Sequence, residues 1–380
     1  MNASVTLPAA QHQRLEWLDA LRGFTMLMVV TNHVYGLGFD TNTKHSMFMS
    51  LCLLFRMPLF FFISGFLAYK ASFSWNLRDT SQLIAKKLRV QIVPTVVFMT
   101  AFIALTAKHF WEQMGIAWET PTKGGYWFTL VLLEMFLVYY FVCSLSRVVA
   151  RCWKGKALAQ QADAQLLQGE YHRIESASLI GLWLLSLFAY ATLYMPSWFS
   201  WFKHDFWQWT SITELARYMH FFLLGNLVHR YWAQVQRLLD SKWFFPLLVV
   251  VAFVGAADYL KWHNLRLQWA NLPRTLSMYA LVMMIVAFFR CYQAWFTKDT
   301  RLGSALQYIG VRTLDIYLLH YFFLPKLPDV GVWFKAHPRN FVLEGTTAIA
   351  LALLVVAFSI LTSHVLRISP FLKKWLFGRE

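Results

Sequence analysis

The sequence predicts an all-α polytopic membrane protein with about ten transmembrane helices and both termini in the cytoplasm. Three observations carry this expectation. Of 380 residues, 58% are hydrophobic and only 14% charged. A soluble domain has roughly a quarter of its residues charged, so this chain lacks the polar surface that water requires. Apolar runs of about 20 residues, long enough to cross a bilayer, recur along the whole chain. Basic residues gather in short clusters between those runs, as in the inner-face loops of membrane proteins. The same clustering explains the net charge of +16 without a nucleic-acid partner.

The runs can be taken in order. The first covers 17–38 and the second 47–69. The third, 90–110, follows "LRDTSQLIAKKLRVQ", whose pattern suits an amphipathic helix on the inner leaflet. The fourth, 126–148, is separated from the fifth, 177–195, by the longest polar stretch, which is a loop and too short for a soluble domain. Runs at 213–231, 243–260, 273–296, 305–324 and 341–366 complete the set. The domain organisation is then a cytoplasmic segment at 1–16, a membrane domain at 17–366 and a basic cytoplasmic tail at 367–380. With the N-terminus inside, the inner segments hold 21 Lys and Arg and the outer segments 10, which sets the orientation. The polar opening precedes a full-length span, so no cleavable leader is expected. Cys52, Cys143, Cys152 and Cys291 are scattered without metal-ligand spacing, so they read as packing residues, with neither a metal site nor a structural disulfide. The outer loop "YMPSWFSWFKHDFWQW" (194–209) reads as an interfacial aromatic belt, with a stacking platform for sugar rings as the sharper alternative.

Ionisable groups inside apolar spans are costly and usually functional. In "LDALRGFTMLMVVTNHV" (18–34), Arg22 and His33 are eleven residues apart. That spacing places them roughly 16 Å apart along a helix and about 20° past three whole turns, so on nearly the same face. Asp19 lies one turn before Arg22 and can pair with it, and Gly23 allows close approach of another helix or a ligand. The alternative is that Arg22 snorkels to one interface and His33 lies near the other. Arg56 opens the second span as an anchor or as a site for an anionic acceptor. Ser64 lies deep in an aromatic run, where it can hydrogen-bond substrate or serve helix packing. Glu134 sits mid-span, where burial forces it neutral or requires a cation; it reads either as the structural partner of Arg56 or Arg217 or as a catalytic or substrate-binding group. Glu214, Arg217 and His220 share a face of the sixth span and are expected to line the same cavity. Tyr317 and His320 stand near Asp315 in the ninth, where His320 can bind an acceptor or bond to a neighbouring helix.

These segments resemble a known family. The opening span, with Arg and His separated by ten residues, is similar to that of the integral-membrane acyltransferase type 3 family. "RMPLFFFISGFLAYK" (56–70), "YWFTLVLLEMF" (126–136) and "TLDIYLLHYFF" (313–323) resemble its second span, its Trp-Phe span and its late Tyr-x-x-His span, in the same order. The resemblance implies transfer of an acyl group, acetyl by default, from acyl-CoA as co-substrate to a hydroxyl of a sugar or glycan acceptor. It also implies a multi-pass protein of the cell inner (plasma) membrane with no permanently bound cofactor. His33 is expected as general base, with a covalent acyl-histidine as the lesser variant. Arg22 would orient the donor or stabilise developing charge, and Asp19 would hold its guanidinium. The family's Arg-x-x-Arg before a Pro is matched loosely by Lys86 and Arg89 in "KKLRVQIVP", the pair to which the resemblance gives the role of holding the acyl donor. The oligomeric state is open. Two rival classes are a transporter or flippase for a glycan or glycolipid precursor, for which inverted repeats are expected and none is seen, and a structural subunit, which leaves the interior His and Arg unexplained.

Overall fold

The protein is described by a computed structural model covering residues 15–41, 46–71, 73, 75–154, 164–191, 207, 209–259 and 272–377. Among the described residues every regular element is a helix. Helix α1 (Glu16–His33) runs into a π-helical turn at Val34–Gly38, and α2 spans Met47–Ala68. Helix α3 (Leu77–Lys87) passes through a π turn at Leu88–Ile92 into α4 (Val93–Thr106). Then come α5 (Phe110–Glu119), α6 (Trp127–Lys154), α7 (Ala164–Ala189) and α8 (Ile212–Arg230). Next are α9 (Trp232–Leu239), α10 (Phe244–Tyr259), α11 (Leu272–Cys291), α12 (Arg301–Gly310) and α13 (Thr313–Leu319). The last three are α14 (Pro328–Ala336), α15 (Phe341–Leu366) and α16 (Pro370–Phe377).

Among the described residues, five helices are long and apolar enough to cross a membrane: 47–68, 77–106, 127–150, 272–291 and 338–366. The α9–α10 pair, bent by 81°, makes a sixth if it counts as one span. By length and composition alone, then, the chain shows fewer crossings than the ten expected, and the reason is physical. Helix α1 carries Glu16, Asp19 and Arg22, and α8 carries Glu214, Arg217 and Arg230. The run at 305–324 is broken at Val311–Arg312 into α12 and α13 and ends in a 3₁₀ turn at His320–Phe323. The amphipathic segment is not a separate surface helix: α3 continues into the apolar α4. Pro94 stands at the start of α4, and without an N–H it cannot complete the ladder behind it, where the π turn takes up the mismatch. The Trp-rich stretch at 194–209 lies mostly outside the described residues, as do 1–14.

Helix α1 is the central element, packed against α2, α11, α12, α13 and α15, and most of its side chains are buried. Two crossings bring backbones into contact. A Cβ on Gly23 would strike the Leu306 carbonyl and one on Gly310 the Asp19 carbonyl, so α1 and α12 meet through facing glycines. Gly65 of α2 and Gly225 of α8 do the same against Phe222 and Phe62. In lipid, where helix association draws on close packing, small residues at such contacts are favoured. The expected consequence is that Gly65→Leu and Gly310→Leu each lower stability by about 1–3 kcal/mol through overpacking, read as a lower melting midpoint in detergent. Gly181→Ala, whose added Cβ meets nothing, should melt like the unaltered protein.

Candidate active site

His33 ends α1, where the π turn begins, and its ring faces the short 3₁₀ turn after α13. Its Nδ1 lies 2.7 Å from Nε2 of His320, with the two rings nearly parallel at 4.9 Å. The other nitrogen of His320, Nδ1, lies 2.8 Å from the Tyr317 carbonyl and 3.1 Å from that of Ile316. A carbonyl only accepts, so His320 Nδ1 carries the proton and, in the neutral ring, its Nε2 is the acceptor. His33 Nδ1–H therefore donates to His320, which leaves His33 Nε2 with the free lone pair. This assignment follows from the partners rather than from seen hydrogens. Helix α13 is itself anchored, because Asp315 accepts from Arg367 at 2.6 Å and from Ser363 at 2.8 Å, both on or just after α15. Asp315 is thus engaged with α15 and not with His320.

Two cavities lie nearby, and His33 lines the smaller. The smaller, about 40 Å³, is lined by His33, Arg56, Phe60, Trp127, Phe128, Gly125 and Tyr317 among others. The larger, about 450 Å³, is lined by Arg22, Ser64, Lys70, Lys86, Lys87, Gln91 and, again, Phe60, Phe128 and Tyr317. Those three aromatic residues form the partition between the two. The Tyr317 hydroxyl is pinned there: it donates to the Gly125 carbonyl at 3.0 Å and accepts from the Phe128 N–H at 3.3 Å. Gly125 has φ +98°, and Tyr321 occupies the place of its missing Cβ, so only glycine serves at that position.

The predicted residues separate accordingly. Arg22 and His33 do share the α1 face, but they open on different cavities, not on one continuous lane. Arg22 donates to Asp19 at 3.3 Å and to the Thr313 hydroxyl at 3.2 Å, so Asp19 holds its guanidinium as the spacing implies. Arg56 joins His33 in the small cavity, and Ser64 faces the large one while donating to the Phe60 carbonyl at 2.9 Å. Lys86 lines the large cavity; Arg89 is exposed and lines neither. Glu134 lines neither cavity. Its Oε2 is buried without a hydrogen-bond partner among the described residues. Arg217 pairs with Glu214 at 3.5 Å. His220 is not a cavity residue either: it is buried, with Nδ1 2.7 Å from the Tyr279 hydroxyl.

The sequence reading missed Lys87, Lys70 and Gln91 as cavity residues. For Lys87 a signal existed, since Leu83, Lys87 and Val90 fall at the i, i+4, i+7 spacing of one helical face, and all three line the large cavity. Lys87 Nζ lies 3.6 Å from the centroid of the Phe136 ring, a cation–π contact that fastens it to α6. Gln91 donates to the Thr129 carbonyl at 2.6 Å and ties the π turn to the same helix. The arrangement presents a cation-rich chamber, an aromatic partition and, beyond it, an imidazole with an oriented lone pair.

A family model described as an acyltransferase domain matches residues 15–364. No curated protein and no solved structure matches the chain. The family match runs from the first turn of α1 to the last turn of α15 and so takes in both histidines and both cavities; the chain belongs to the acyltransferase 3 family and is a membrane acyltransferase.

Proposed function

We propose that the protein moves an acyl group, acetyl by default, from a cytoplasmic acyl-coenzyme A to a hydroxyl of a sugar or cell-surface glycan, with His33 as general base. The observation that carries this reading is the pair of cavities in series, the cation-rich one behind the partition and the histidine beyond it. In this reading the chain crosses the inner (plasma) membrane ten times, and both termini face the cytoplasm. The charged helices α1 and α8 and the broken α12–α13 are then buried crossings that composition alone does not reveal.

The chemistry follows from the parts. Among the described residues Lys70, Lys86 and Lys87 form no ion pair, and all three open on the large cavity with Arg22. Opposite unit charges 4 Å apart attract by roughly 4 kcal/mol at an effective dielectric of 20, so this chamber favours a polyanion such as a nucleotide phosphate. Its volume lies within the usual range for small-molecule sites, about 300–1,000 Å³. The thin pantetheine arm would pass between Phe60, Phe128 and Tyr317 and present the thioester to His33. The small cavity has room for an acyl tip and one hydroxyl, but not for a sugar ring, so the acceptor reaches it from the far side. His33 Nε2 takes the hydroxyl proton as the oxygen attacks the thioester carbonyl carbon. The new C–O bond forms, the C–S bond then breaks, and the departing thiolate recovers the proton from the imidazolium. His320 positions the base by fixing its tautomer.

His33→Ala is expected to lower label transfer from radiolabelled acetyl-coenzyme A to a glycan panel by about 10²–10⁴-fold, the usual weight of a general base, with the protein still folded in detergent. Unchanged turnover would remove the proposal. His320→Gln, whose amide oxygen can still accept from His33 Nδ1–H, should retain far more activity than His320→Leu; equal losses would argue that the pair acts only by packing. Lys87→Gln should raise KM for acetyl-coenzyme A with little change in kcat, and Phe60→Trp, which thickens the partition, should lower kcat with KM for the donor nearly unchanged.

A further inference from the structure

We infer that Arg56 is a catalytic residue whose guanidinium stabilises the oxyanion of the tetrahedral intermediate formed next to His33. This inference rests on the acyl-transfer reading above and assigns the charge-stabilising role to a residue other than Arg22, which opens on the larger cavity.

Several observations support it. Arg56 and His33 line the same small cavity. The Nε of Arg56 is buried without a hydrogen-bond partner among the described residues. Among the described residues Arg56 is in no ion pair with a carboxylate. A half-buried cation left without such a partner is costly, and the anion assigned to compensate it is the one formed in the reaction. The cavity also sets the size of that anion. At about 40 Å³ it is less than a tenth of the larger chamber's 450 Å³, which suits the reacting carbonyl and the attacking hydroxyl rather than a whole acidic sugar. Trp127 and Phe128, the first residues of the 28-residue α6, line the same space, so the positive end of the helix dipole adds to the field there.

The step balances without a further reactant. As the acceptor oxygen, relieved of its proton by His33 Nε2, bonds to the carbonyl carbon, the carbonyl π pair moves onto oxygen and faces Arg56. On collapse that pair re-forms C=O, the C–S electrons leave with sulfur, and His33 returns the proton to the thiolate. A guanidinium prepared for that charge acts on the transition state more than on either substrate.

The test uses the full-length protein in detergent, radiolabelled acetyl-coenzyme A, and neutral and carboxylate-bearing sugars as acceptors, with His33→Ala run beside the Arg56 variants. Arg56→Gln is expected to lose about 10²–10³-fold in kcat, the usual effect of removing one oxyanion donor. KM for donor and acceptor should stay within about threefold, with the same loss for neutral and acidic sugars. Arg56→Lys should fall between, because it keeps the charge but not the fork, and added guanidinium should partly restore Arg56→Ala. If His33→Ala is inactive while Arg56→Gln retains full kcat, the inference fails and the general-base reading stands. If the Arg56→Gln defect is a raised KM confined to acidic sugars, Arg56 is an acceptor anchor and the inference is overturned. If His33→Ala is fully active, the parent reading itself fails. Should Arg56→Gln not fold, Arg56→Lys decides by the same split between kcat and KM.

Discussion

The site depends on the direction of one hydrogen bond. Because His320 Nδ1 has only carbonyls to face, its proton is placed, its Nε2 accepts, and the lone pair of His33 is left on the nitrogen away from the pair. No carboxylate is needed to orient His33; backbone carbonyls at the end of α13 do so through His320. The bond in turn depends on bringing α1 against the broken α12–α13 segment. Facing glycines at Gly23 and Gly310 allow that contact, and the Asp315–Arg367 pair holds α13 to α15.

The buried and half-buried cations divide into two kinds. Arg230 meets Glu175 at 2.6 Å and Arg367 meets Asp315 at 2.6 Å; such pairs join helices in a medium that penalises lone charge. Arg56 and Lys87 have no such carboxylate among the described residues, and each opens on a cavity. Charge left uncompensated by the fold is then compensated by what enters. The aromatic partition keeps the two chambers distinct. A thioester would leave the polyanion chamber only by passing Tyr317, whose hydroxyl is fixed by the backbone of the Gly125–Phe128 segment.

What the sequence made legible was local. The eleven-residue step from Arg22 to His33 fits a helical period, and the structure keeps both on α1 with Asp19 bonded to Arg22. The pairing of His33 with His320 joins residues 287 apart in sequence and depends on a helix break at Val311–Arg312 that no periodicity announces. The partition was equally hidden, since Phe60, Phe128 and Tyr317 come from α2, α6 and α13 and meet only in the folded chain. His220 sits differently: its Nδ1 faces the Tyr279 hydroxyl on α11, and its Nε2 is buried without a hydrogen-bond partner among the described residues. The ten apolar runs were visible, yet α1, which carries Arg22 and His33, also carries the charges that make it look least like a span.

The most direct test is a structure of the full-length protein with a non-hydrolysable thioether analogue of acetyl-coenzyme A. The account predicts phosphates at Lys70, Lys86 and Lys87, the arm between Phe60, Phe128 and Tyr317, and the carbonyl carbon of the analogue in the small cavity, beside His33 Nε2 with its oxygen toward Arg56. An analogue that ends on the Arg22 side of a closed partition, or binds away from these cavities, would contradict it.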